Sequence, residues 1–174
     1  DEANPLIIGL RYSPADLSYY SKGKSFPSTI NSTIGNSLSA VLFPSMAKLQ
    51  DDKVGILTCT RRFMQTSSFF IFPMMIGFLS LADKFVLVLL TEKWASATIY
   101  LQVFCLVYMF NMIQDGNLQV VRAIGKSGLF LIMEIIKKSS YLIVILLFVL
   151  FTDKPEHLAI ACIVNTCIAT LVNT

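Results

Sequence analysis

The stretch 108–125, YMFNMIQDGNLQVVRAIG, sets Asn111, Gln114, Asp115, Gln119 and Arg122 among large apolar side chains. At spacings of three, four and seven these five fall on one broad side of a helix. Amides, a carboxylate and a guanidinium on one face are groups that hold sugar hydroxyls or a small ion. A charge at the centre of a bilayer costs at least about 2.5–3.5 kcal/mol. Asp115 should therefore face a wet cavity, a partner cation or the cytoplasmic surface. The alternative is that the helix has reached the headgroups by residue 114 and ends in water.

A second polar face lies in SFPSTINSTIGNSLSAVLFPSMA, 25–47. Ile30, Ile34, Leu38, Val41 and Leu42 form an apolar stripe at helical spacing, with Thr29, Ser32, Thr33, Asn36 and Ser39 on another face. An uncharged hydroxyl and amide face of membrane-spanning length suits a bundle wall around a sugar-binding cavity. It equally suits close helix packing through Gly35 and Ser39. Arg61, Arg62, Lys137 and Lys138 are candidates to attract a phosphate or pyrophosphate at the inner surface, and the same four would also set topology. Asn31-Ser32-Thr33 matches a glycosylation sequon by accident, since it falls inside a span.

Other chemistry is thinly represented. His157 is the one histidine, and no Ser/His/Asp or metal-ligand spacing can be built around it. Cys59, Cys105, Cys162 and Cys167 form no CxxC pair and read as small apolar fillers. There is no Gly-rich phosphate loop. These residues do not describe an enzyme, a metal centre or a resident cofactor; a coupling proton or sodium ion is the one small partner they leave open.

The elements that must position these groups are membrane spans. Of 174 residues, 55% are apolar and 14% charged, against about 25% charge in soluble domains, and the mean hydropathy is +0.66. The net charge of +3 is scattered and gives no nucleic-acid-binding face. About 20 apolar residues cross a bilayer core. The clearest such block is FMQTSSFFIFPMMIGFLSLA, 63–82, clamped by Arg61-Arg62 and Asp83-Lys84 and expected to bend at Pro73. Further spans are expected at about 5–21, 25–47, 95–124, 131–152 and 158–174, with 85–90 as an interfacial extension. The fifth must absorb Glu134, Lys137 and Lys138 into its first turns, where the Glu pairs at i+3 or i+4. Trp94 anchors at the outer edge.

Alternate loops hold eight basic residues (Lys48, Lys53, Arg61, Arg62, Arg122, Lys126, Lys137, Lys138) against five (Lys22, Lys24, Lys84, Lys93, Lys154). The positive-inside rule places the first set in the cytoplasm. No initiator Met or basic leader region precedes DEANPLIIGL, and both ends read as cuts in a longer chain.

Taken in order, DLSYYSKGKSFPSTI, AVLFPSMAKLQDD, FPMMIGFLSLADKFVLVLLTEKW, ATIYLQVFCL and NLQVVRAIGKS resemble the Wzx-type oligosaccharide flippases, the polysaccharide branch of the superfamily that includes the MATE exporters. The resemblance covers essentially the whole chain. It implies an all-α polytopic bundle of about six helices, residues 1–174 forming the second lobe of a two-lobe transporter in the bacterial inner membrane. It also implies a lipid-linked oligosaccharide on undecaprenyl pyrophosphate as cargo. The N-terminal lobe, membrane lipids and other polysaccharide assembly proteins would be partners. Pro44 and Pro73 are the expected bending points of an alternating-access cycle. The competing readings are a MATE-type multidrug or cation antiporter, a membrane-embedded glycan polymerase, and a structural membrane subunit. The antiporter would concentrate acids in the lobe, and the polymerase would need a large extramembrane loop.

Overall fold

The computed structural model describes residues 3–47, 49, 52–123, 127–151 and 155–172. Among them every regular element is a helix: α1 (Ala3–Arg11), α2 (Pro14–Ala47), α3 (Lys53–Phe85), α4 (Ala97–Ala123), α5 (Ser127–Phe151) and α6 (Pro155–Val172). A π-helical turn, Val86–Leu90, continues α3, and a 3₁₀ turn, Glu92–Trp94, leads into α4. The fold is all-α, as the sequence implies.

The first connection is not where the sequence reading put it. The expected span at 5–21 is broken at Ser13, and the expected loop around Lys22 and Lys24 is inside α2. The cause is a local cap. Ser13 N donates to Asp16 Oδ2 at 3.1 Å, Asp16 N donates back to Ser13 Oγ at 3.2 Å, and the hydroxyl itself donates to Oδ2 at 2.7 Å. With Pro14 in the first helical position, Ser-Pro-Ala-Asp is a capping box that starts a helix there. Arg11 thus closes α1 beside this connection, and Lys22 and Lys24 no longer count as loop charges.

α3 likewise starts earlier than its apolar block. Asp52 caps it, its carboxylate accepting from Val54 N at 3.0 Å, so Arg61 and Arg62 are exposed helical residues rather than loop residues. The helix runs through Pro73 without interruption. Its π-helical continuation fits the expected extension, and ends at Thr91, where φ of 73° and ψ of 166° reverse the chain.

α4 is the central helix and contributes to all three buried clusters. Tyr100, Val103, Phe104 and Val107 pack with Ile8, Tyr20, Ile145, Ala159 and Cys162. Cys105 joins Phe63, Ile71 and Met75, with Ile30 and Ile34 of the expected α2 stripe against them. Leu101 meets Ala82 and Val86. Gly23 lies beside Ala97, Tyr100 and Leu101, and Ile30 beside the Cys105 cluster, so α2 and α4 run parallel in direct contact, and α3 packs against both. Near the start of α4 Tyr19 meets Trp94 edge-on at 5.7 Å and Lys22 sits 5.9 Å above the same ring. That places Trp94, Tyr19 and Lys22 at one level, as an aromatic belt requires.

The outer faces are apolar. Phe69, Phe70, Met74, Ile76, Leu81, Leu87, Val88 and Leu89 are exposed along α3 and its extension, and Leu131, Ile132, Ile135, Ile136, Ile143, Leu146 and Leu147 along α5. Stripes of this size mark surfaces that meet lipid or another protein. Val54–Leu90 is the one helical run among the described residues long and apolar enough to cross a membrane by itself. α2, α4 and α5, at 34, 27 and 25 residues, have the length but carry polar groups along the way.

Candidate functional site

Where those polar groups go is the central observation. α5 starts at Ser127, so Lys137 is ten residues along it, about 15 Å from its start at 1.5 Å per residue. The expectation that Glu134, Lys137 and Lys138 occupy the first turns is therefore corrected. They stand near the middle of the helix. Counting 20 apolar residues back from Thr152 started the helix too late.

The mid-helix charges line a half-open cavity of about 580 Å³ between α2, α4, α5 and α6. Its volume lies in the range of small-molecule sites, roughly 300–1,000 Å³. On α5 the residues 134, 137, 141 and 145 recur at three and four, which puts them on the inward face opposite the exposed Leu/Ile stripe. Glu134 and Lys137 form an ion pair at 3.0 Å, with side chains 29% and 14% exposed, the i+3 partnership expected for this Glu. Lys138 also lines the cavity, and Lys24 approaches from α2. The lining thus holds three lysines and one glutamate. Among the described residues no carboxylate is within ion-pair distance of Lys24 or Lys138, so the wall is net cationic.

Between the charges are neutral donors and acceptors: Asn111 and Gln114 of α4, Tyr141 of α5, Asn165 and Thr166 of α6. Gln114 is buried and donates through Nε2 to the Thr166 carbonyl at 3.1 Å and to Thr170 Oγ1 at 3.0 Å. At residue 114 α4 is therefore packed against α6 rather than open to solvent. Thr166 and Thr170 return their own hydroxyls to the carbonyls of Cys162 and Thr166, at 2.7 and 2.8 Å. The Asn165 amide oxygen is buried without a hydrogen-bond partner among the described residues. Such a group in a polar cavity is suited to a water or a sugar hydroxyl.

Of the residues singled out in the sequence, Asn111, Gln114, Lys137 and Lys138 come together in this cavity. Asp115, Gln119 and Arg122 continue α4, but their side chains, like that of Ser39, lie outside the described residues, as does the side chain of His157. Thr29, Ser32, Thr33 and Asn36 are exposed on α2 and do not line the cavity. Thr29 and Ser32 donate to carbonyls of their own helix, Ser25 and Thr29, at 2.8 and 3.1 Å. Pro44 and Pro73 are exposed within α2 and α3. Cys105 and Cys162 are buried fillers, whereas Cys167 is exposed. Sequence reasoning missed Lys24, Tyr20, Tyr141, Asn165 and Thr166. The signal for the α6 pair was present as a single Asn-Thr step inside an apolar run.

A sequence profile described as polysaccharide biosynthesis protein matches residues 1–99, which is 99 of 174 positions. A membrane protein of the cps region of Klebsiella pneumoniae is 30% identical over 94 residues, 53% of this chain and 19% of the relative. The lipopolysaccharide biosynthesis protein WzxC of Escherichia coli K12 is 28% identical over 88 residues, 49% of this chain and 18% of the relative. Each match thus spans under a fifth of the relative's length. No solved structure matches. The profile covers α1 to α3 and stops at the start of α4, so Lys24 and Tyr20 fall inside it and the rest of the cavity beyond it.

Proposed function

We propose a transport role from one premise: the chain belongs to the polysaccharide biosynthesis protein family. In this reading the chain is part of a multi-pass flippase of the bacterial inner membrane that moves a lipid-linked oligosaccharide, carried on undecaprenyl pyrophosphate, between leaflets. The observation that carries it is the pair Lys137 and Lys138 halfway along α5, facing a polar cavity while the opposite face is Leu and Ile. Ionisable residues at that depth are costly and mark a substrate or ion path. A cationic wall attracts a pyrophosphate, and the amides and hydroxyls beside it match sugar hydroxyls.

The sign of the wall also weighs against a cation antiporter, whose site would be acidic. The remaining candidates take places in the same scheme. The exposed hydroxyl face of α2 is where a second lobe would close the pathway, with Pro44 and Pro73 letting the long helices bend between inward and outward states. Arg61 and Arg62 stand on α3 as headgroup-attracting residues at the inner surface.

The test is complementation. Deleting the full-length gene should abolish surface polysaccharide, and the intact copy should restore it. A copy carrying Lys137→Ala and Lys138→Ala should insert at normal levels yet restore little. Full restoration by the double variant, or normal polysaccharide with altered drug sensitivity in the deletion, contradicts the proposal.

A further inference from the structure

Among the described residues, Glu134 is the one carboxylate lining a wall that also holds Lys24, Lys137 and Lys138. A site built only to attract anions gains nothing from an acid at its centre, yet this acid holds Lys137 at 3.0 Å. Both partners belong to α5, so the pair persists whatever the other helices do. An unpartnered lysine at this depth would be strongly disfavoured. The carboxylate offsets that cost while the cavity is empty. A phosphate entering the cavity competes for the same ammonium group. We infer that Glu134 is a resident counter-ion, which an anionic headgroup displaces from Lys137 on binding and which reclaims Lys137 on release. This deepens the transport reading and rests on it.

The consequence is a ceiling on affinity. Binding exchanges one ion pair for another instead of creating one, so the net gain is small and the headgroup can leave. Neutralising Glu134 removes the competitor and should trap the anion. Tyr108 from α4 and Thr166 from α6 face the same space but carry no charge to take its place.

The experiment is equilibrium binding of inorganic pyrophosphate to the full-length protein in lipid nanodiscs. Glu134→Gln keeps the side chain's size, and Glu134→Ala removes it. Both should bind about tenfold tighter than the wild type, the scale expected when an opposing charge at contact distance is lost from a partly buried site. Lys137→Gln should bind weakly, and adding Glu134→Gln to it should change nothing further. Wild-type binding that depends on Lys137 but is unchanged or weakened in both Glu134 variants overturns the counter-ion role and leaves the transport reading standing. Binding that Lys137→Gln does not affect overturns both.

Discussion

Substituting Gly23 by alanine sets two effects of opposite sign against each other. A Cβ built at this position lies 2.5 Å from Tyr100 Cβ, 2.8 Å from Leu101 N and 2.9 Å from the Ala97 carbonyl oxygen. Ordinary carbon contacts are about 3.5–4.0 Å, so α2 and α4 would have to separate by roughly 1 Å along their tightest line. Two of the three contacts are backbone, and no rotamer change relieves them. Overpacking costs about 1–3 kcal/mol, and a rigid backbone clash belongs at the upper end. Against that, alanine in a helix interior gains about 1 kcal/mol over glycine. The net is a destabilisation of about 1–2 kcal/mol. The assay is thermal unfolding of the full-length protein in detergent, followed by a thiol-reactive dye that reports exposure of buried cysteines such as Cys105. Gly23→Ala should lower the midpoint by a few degrees, and Gly23→Val by more. An unchanged or raised midpoint for Gly23→Ala would show that α2 and α4 do not approach this closely.

Ser13→Ala should cost about 1 kcal/mol through loss of the cap, and Asp16→Ala should add little to it because the two side chains act reciprocally; thermal midpoints of the three variants check this. Gln114→Leu removes both bonds from α4 to α6. The Thr166 carbonyl keeps its donor from Thr170, so the loss should stay near the measured range for such contacts in membranes, about 0.6–1.7 kcal/mol. A double-mutant cycle with Thr170→Val would reveal coupling of the same size, and an absence of coupling would remove the α4–α6 bond. Lys138→Ala alone should reduce complementation less than Lys137→Ala, since Lys138 is the more exposed of the two; equal losses would contradict that ordering.

The parts of the fold that could be read in advance are those where local chemistry decides. The core of α3 is an apolar block between charge clamps, long and apolar enough to cross a membrane. The Glu134–Lys137 pair follows from short-range geometry. The break at Ser13 was equally legible, since Ser-Pro-Ala-Asp carries every feature of a capping box, but the apolar LIIGL and the Tyr pair on either side invite a single span. The depth of Lys137 was not legible. Residues 127–133 complete the first turns of α5 only because the whole segment is helical, and a hydropathy count cannot know where a helix begins. The hydroxyl face of 29–39 shows a further limit. Spacing identifies which side of a helix is polar, but not which neighbour packs there, and within this chain the cavity meets α2 at Tyr20 and Lys24 instead.

The central claim is that the mid-span polar groups face water while the opposite side of α5 faces lipid. It is tested most directly by placing single cysteines in a full-length background with Cys59, Cys105, Cys162 and Cys167 replaced. Asn111→Cys and Asn165→Cys should react with a membrane-impermeant thiol reagent, and Ile143→Cys and Leu146→Cys should not. Sealed positions at 111 and 165, or equal labelling at all four, would contradict the account.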